Sequence, residues 1–298
     1  MVAVPTDIAF HMIDVFAAEP LTGNPLPVVP DADALGDDRM RAIASEFNQA
    51  ETTFLVAPTL PGADRRLRSF TPAGHEVGGA GHNAMGAWLW LALAGRLDLH
   101  GPSTSFVQEI AGRALPLTVL NEPGEPITVV MEQEPPRFLG VPHDRDELAA
   151  SLGLAADDVR GDLPAQVVDT GAGHLMVPLL DRAAVDRARP DTARLATALR
   201  AVGGEGAYVY SLDAPGGAVA YTRFFNPTMG IVEDPATGTA AGPLVALLVR
   251  AGLAPSGTSI IEQGHHMGRP SRLSVTIEGE HVRLAGSGVV SMSGTLHL

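Results

Sequence analysis

Residues 68–95 read RSFTPAGHEVGGAGHNAMGAWLWLALAG. This stretch predicts a short strand, a glycine-rich loop holding His75, Glu76 and His82, and then a helix. Gly78, Gly79 and Gly81 permit a tight turn and close approach of a ligand to the backbone. Ala84, Ala87, Trp88, Leu91 and Ala94 form one helical stripe, while Met85, Leu89, Trp90 and Leu93 fill the other faces. A helix that is apolar all round is a buried helix. Its apolar run is well short of the ~20 residues that span a bilayer, so it belongs in a protein core. The loop opens onto a helix start, where unpaired N–H groups and the positive dipole end favour an anion. Taken alone, the same residues also make an ordinary turn ahead of a core helix.

The second half of the chain repeats this arrangement. Arg68-Ser69-Phe70-Thr71-Pro72 is echoed 155 positions later by Arg223-Phe224-Phe225-Asn226-Pro227. After each, a loop rich in small residues opens an apolar helix; the second loop is Asp234 to Gly242, DPATGTAAG, followed by Leu244 to Val249. Glu51 to Val56 is matched by Glu205 to Tyr210 at an offset of 154, and Gly112-Arg113 by Gly268-Arg269 at 156. Four matches in one order with nearly constant offsets predict a duplicated domain. Strands flank each central helix, and the alternating pattern of a doubly wound parallel sheet is missing. The expected fold class is therefore α+β: two duplicated domains, each a curved sheet or half-barrel around a buried helix, related by a pseudo-two-fold. Such symmetry would bring both helix starts to one shared anion-binding cleft.

The expected boundaries are residues 1–131 for the first domain and 166–298 for the second, with C-terminal residues free to cross over. Between them, residues 132–165 are punctuated by Pro135, Pro136, Pro142 and Pro164, with Asp144 to Leu152 as the one helical piece, and read as a connector. Elsewhere strands are predicted over 7–16, 26–29 and 104–131, and helices over 37–47, 182–189 and 191–201.

Composition narrows the function. A formal net charge of −14 argues against nucleic acid and anionic membrane surfaces as partners. The chain has no cysteine, which excludes disulfides, thiolate nucleophiles and zinc–cysteine sites. The N-terminus, MVAVPTDIAFHMIDVF, lacks the pattern of a secretory signal, so the default compartment is the cytoplasm. No dinucleotide fingerprint, phosphate loop or Gly-x-Ser-x-Gly elbow is present. His265-His266 is a poor metal pair, because adjacent side chains point apart. What remains is acid–base chemistry without metal or evident cofactor.

Glu51, His75, Glu76, His82, Glu233 and Asp234 are the ionisable groups read as lying on loops beside these features. Glu51 opens an apolar strand: burial there would suit it to acid–base work, and exposure would make it a plain strand-end carboxylate. His82 is either a neutral catalytic ring at a helix start or a packed core histidine. Asp234, ahead of Pro235, is either a site residue or a turn cap.

At these residues the chain resembles the PhzF family, isomerases named for phenazine biosynthesis that share the fold of diaminopimelate epimerase. The resemblance rests on Asp14-Val15-Phe16 with Gly23-Asn24-Pro25, NQAETTF at 48–54, Arg68 to Gly86, EDPATGTAAG at 233–242, and Gln263-Gly264 with MGRPS at 267–271. It implies a cofactor-independent proton shift on a small anionic, carboxylate-bearing substrate resembling a dihydro-hydroxyanthranilate. Glu51, His82 and Asp234 would be the catalytic residues, and Gly81, Asn83, Gly238 and Thr239 would bind substrate. The family also implies a homodimer. Ala50 stands where the phenazine enzymes often carry serine, and the two-cysteine mechanism of the related epimerases cannot operate in a chain without cysteine. The alternatives are a one-base amino- or hydroxy-acid epimerase, a dehydratase, or a ligand-binding homologue without turnover. Glu205, the repeat partner of Glu51, is a further candidate base to which the resemblance assigns no role.

Overall fold

The structure is a computed structural model and describes residues 7–163 and 165–298. The reading of Met1 to Thr6 as part of a leaderless N-terminus, and of Pro164 as connector punctuation, lies outside the described residues. The chain divides into two units. One takes in the chain up to Met131 together with Ala285–Leu298, and the other is Glu132–Leu284.

The first unit contains β1 (Asp7–Val15), β2 (Asn24–Val29), α1 (Asp37–Phe47), β3 (Thr52–Val56), β4 (Arg65–Phe70), β5 (Glu76–Val77), α2 (His82–Leu93), β6 (Ser103–Ile110), β7 (Arg113–Leu120) and most of β8 (Thr128–Gln133). β1 is antiparallel to β2, β2 parallel to β3, and β3 antiparallel to β4. β4 carries β5 antiparallel and β6 parallel, and β6, β7 and β8 follow as antiparallel neighbours. Because side chains alternate along a strand, the sheet has two different faces. Ile8, Val29, Phe54 and Phe70 pack with Met40, Ile43 and Ala44 of the amphipathic α1. Ile13, Val15 and Leu26 turn the other way, onto α2.

Helix α2 is buried from His82 to Ala92, as its all-round apolar surface requires. Met85, Leu89 and Leu91 are within it, each worth about 1.5–3 kcal/mol relative to exposure. Trp88 is also fully buried, and its indole N–H donates to Gln108 Oε1 at 2.9 Å. At Gly86 the helix approaches the sheet so closely that a Cβ would lie 2.6 Å from Leu26 Cδ2 and 2.7 Å from Val15 Cγ2.

The second unit holds β9 (Arg137–Phe138), α3 (Arg145–Ser151), β10 (Gln166–Asp169), β11 (Gly173–Pro178), α4 (Arg182–Arg187), α5 (Thr192–Val202), β12 (Gly206–Ser211), β13 (Ala220–Asn226), β14 (Ile231–Asp234), α6 (Gly238–Arg250), β15 (Gly257–Gln263) and β16 (Ser271–Glu278). Its pairing runs β9–β10–β11 antiparallel, β11–β12 parallel and β12–β13 antiparallel. β13 then carries β14 antiparallel and β15 parallel, and β15 pairs antiparallel with β16. From β1 and from β10 onward, the order of parallel and antiparallel pairings is the same. Leu175, Val177, Ala207, Val209 and Phe225 face α3, α4 and α5. The buried α6 carries Gly242, where a Cβ would fall 1.8 Å from Gln133 Oε1 and 3.0 Å from Val282 Cγ1.

Three expectations change. Residues 132–165 are not a free connector: Leu148, Ala149, Leu152 and Val159 belong to the second unit's core, which the stripe on α3 buries. The strands of the first unit do not stop at a half-barrel. β17 (His281–His297) enters that unit at Ala285, and its pairings with β1 and β8 close the order β1–β2–β3–β4–β6–β7–β8–β17 on itself. Finally, Glu76, Glu233 and Asp234 lie in β5 and β14 rather than in loops. These strands are too short for a period-two pattern, and ion pairs to the neighbouring strand hold them.

Among the described residues, no helix is long and apolar enough to cross a membrane.

Candidate active site

In the first unit, Glu51 stands just before β3 and His82 is the first residue of α2. His82 Nδ1 lies 3.6 Å from Glu51 Oε2, with side-chain exposures of 10% and 20%. The separation is a close electrostatic contact rather than a tight hydrogen bond. Burial lowers the His82 pKa to about 4, so at neutral pH the ring is uncharged. Its Nε2 is buried and has no hydrogen-bond partner among the described residues. A neutral imidazole therefore faces a carboxylate at the mouth of a helix, an arrangement suited to general acid–base work.

The loop that sets this geometry is held from beneath by Asn83. Its Oδ1 accepts the Gly81 N–H at 2.7 Å, and its Nδ2 donates to Gly79 O at 3.0 Å and Ser69 Oγ at 3.1 Å. Ser69 Oγ and Thr53 Oγ1 are 2.8 Å apart, and Thr53 Oγ1 donates to the Asn83 carbonyl at 3.3 Å. Asn83 is 1% exposed, so its amide serves the loop rather than a ligand. The Gly81 N–H is likewise engaged within the loop. The remaining donors at this end are the first-turn N–H groups of α2, which lack intrahelical acceptors.

In the second unit Asp234 ends β14 at 8% exposure and accepts the hydroxyl hydrogen of Thr237. Gln263 organises the surrounding residues. Its Oε1 accepts from Tyr208 Oη at 2.8 Å and from the Thr237 N–H at 3.0 Å. Its Nε2 donates to Asp234 O at 2.8 Å and Thr237 Oγ1 at 3.1 Å. All four hydrogen-bonding positions of the amide are thus used. Thr222 Oγ1 continues the chain by donating to Tyr208 Oη at 2.9 Å. Gly238 and Thr239 are the first two residues of α6, where N–H groups again lack intrahelical acceptors. Gln133 Nε2 donates to Gly238 O at 2.9 Å, and Thr239 Oγ1 lies 3.2 Å from His174 Nε2.

The first unit therefore brings Glu51, His82, Gly81 and Asn83 together, and the second brings Asp234, Gly238 and Thr239 together. Glu76 and Glu233 have another task. Arg68 donates to both Glu76 oxygens at 2.7 and 2.8 Å, and Arg223 to both Glu233 oxygens at 2.8 Å. Each guanidinium also lies over a phenylalanine, Phe70 at 5.2 Å and Phe225 at 4.9 Å. His265 Nε2 contacts Glu262 Oε2 at 2.8 Å, and Glu205 is exposed. Sequence reasoning missed His174, Tyr208 and Gln133. His174 is the lone polar side chain of β11, Gln133 follows Glu132 at the end of β8, and Tyr208 is one of two tyrosines in β12, so nothing in the local pattern singles them out.

The profile of the phenazine biosynthesis-like proteins, PhzC-PhzF, matches residues 13–294. The chain belongs to this family. A trans-2,3-dihydro-3-hydroxyanthranilate isomerase of Pseudomonas aeruginosa is 34% identical over 97% of this chain and 99% of its own. The crystal structure of a PhzF-family phenazine biosynthesis protein from Bacillus anthracis superposes with a TM-score of 0.90 at 27% identity, covering 98% of this chain and 99% of that one. A predicted epimerase from P. aeruginosa gives 0.82 at 34% identity, covering 98% and 99%. This PhzF-family chain is an isomerase.

Proposed function

We propose that this PhzF-family isomerase moves a proton within a small carboxylate-bearing substrate of the dihydro-hydroxyanthranilate type, without a cofactor. The observation that carries the reading is the Glu51 carboxylate 3.6 Å from the neutral, buried ring of His82. Glu51 takes a proton from one substrate carbon, becomes the acid, and returns the proton to another carbon, so the enzyme ends each cycle unchanged. His82 stays neutral and polarises the substrate through a ring nitrogen. Taken by itself, the second unit offers Asp234, fixed as an acceptor by Thr237, for a polar group, and the first-turn N–H groups at Gly238 and Thr239 for a carboxylate. The common pairing order of the two units and the recurrence of the Arg–Phe–Glu cluster support an origin by duplication. A homodimer belongs to the same proposal, and light scattering tests it.

The deciding experiment is turnover of trans-2,3-dihydro-3-hydroxyanthranilate in deuterium oxide. A product of unchanged mass apart from deuterium at a shifted carbon supports the reading. Inversion at one carbon, or loss of water, would replace it with an epimerase or a dehydratase.

A further inference from the structure

His174 lies on β11, on the sheet face shared with Phe224 and the Thr239 end of α6, and is 3% exposed. Its Nε2 is 3.2 Å from Thr239 Oγ1, and its ring stands edge-on to Phe224 at 4.9 Å and 81°. Its Nδ1 is buried with no hydrogen-bond partner among the described residues. The reaction described above leaves this ring without a role.

The unpartnered nitrogen decides where the proton sits. With the proton on Nδ1, a buried N–H would have no acceptor, a rare vacancy in folded proteins. With the proton on Nε2, the vacancy is only an unused lone pair, and Nε2–H has Thr239 Oγ1 as its acceptor. Burial lowers the ring's pKa to about 4 despite the opposing pull of Asp169, so the doubly protonated form is absent at neutral pH. Asp169 is itself engaged by Arg137 at 2.7 Å and by the Gly171 N–H at 2.7 Å. A threonine hydroxyl has one hydrogen and two lone pairs. Once Oγ1 accepts from His174, its hydrogen must point to another acceptor.

We infer that His174 is a positioning residue, which donates from Nε2 to Thr239 Oγ1 and so directs the Thr239 hydroxyl hydrogen to a substrate carboxylate. The inference rests on the reading that Thr239 takes that carboxylate. It adds a donor to the backbone N–H groups of α6 and fixes its direction before substrate arrives.

Two measurements test it. In 15N-histidine-labelled protein, with the signals assigned by their loss in His174→Gln, the His174 ring should show protonated Nε2 and bare Nδ1 from pH 5 to 8. A proton on Nδ1, or titration near pH 6.5, would overturn the inference whatever the substrate. In kinetics with trans-2,3-dihydro-3-hydroxyanthranilate, His174→Phe should raise KM about tenfold with kcat within about twofold, and the amide of His174→Gln should restore most of the loss. Thr239→Val should show the same rise, and His174→Phe should add nothing in its background. Additive losses, or a fall in kcat at constant KM, would contradict it. If the wild-type enzyme leaves this substrate unchanged, the reading of the reaction fails, and the ring spectrum still decides the tautomer.

Discussion

His82 Nδ1 faces Glu51 Oε2 across 3.6 Å, and the histidine is uncharged because burial, not the carboxylate, controls its proton. A protonated His82 would pair with Glu51 and blunt it as a base. A neutral one leaves the carboxylate able to take a proton from carbon. The pair is thus a close contact between a neutral ring and a carboxyl group rather than a salt bridge.

This has a consequence for stability. His82 binds its proton at about 4 in the fold against 6.5 for an ordinary histidine. Between those values the unfolded chain holds a proton that the folded chain does not. Stability is therefore full above about pH 6.5 and falls as pH drops toward 4, by up to about 1.4 kcal/mol per unit for this residue. Urea unfolding of wild type and His82→Gln at pH 7.5 and pH 5 should give the variant the shallower loss. Equal losses would refute the burial argument.

The two arginine–glutamate pairs should differ in strength. Arg223 and Glu233 are 3% and 13% exposed, whereas Arg68 and Glu76 are 15% and 41% exposed. Glu233→Gln leaves a buried guanidinium without its counter-charge and should cost about 3 kcal/mol. Glu76→Gln breaks a pair that water screens and should cost less than about 1 kcal/mol. Unfolding midpoints of the two variants measure the contrast, which disappears if both pairs are equally buried in solution.

Gly86→Ala should destabilise by about 1–3 kcal/mol, because the added methyl meets Leu26 and Val15 well inside contact distance. Gly36→Ala is the control, since nothing lies within 4 Å of its added methyl. Denaturant midpoints of both variants suffice, and an unperturbed Gly86→Ala would mean that α2 is not seated against these strands.

Much of this architecture is legible in the sequence. The apolar surface around Ala84 to Leu93 required burial, and α2 is buried. The Arg68 and Arg223 echoes fall on β4 and β13, each of which places an arginine between a phenylalanine and a glutamate. What escaped reading has physical causes. β5 and β14 are held by ion pairs to the adjacent strand, and two to four residues carry no periodicity. Residues 132–165 look like a linker because of their prolines, yet Leu148 and Leu152 bury as firmly as any core pair. Asn83 and Gln263 stand within recognisable motifs, but the task of each amide is set by partners that only the fold brings to it. His174 gave no signal beyond a polar residue in an apolar strand.

Turnover of trans-2,3-dihydro-3-hydroxyanthranilate by Glu51→Gln, compared with wild type at matched folding by circular dichroism, bears most directly on Glu51 as the proton carrier. The substitution keeps the shape and removes the base, so kcat should fall ~10²–10⁴-fold. Turnover within a few-fold of wild type would show that the proton travels by another group.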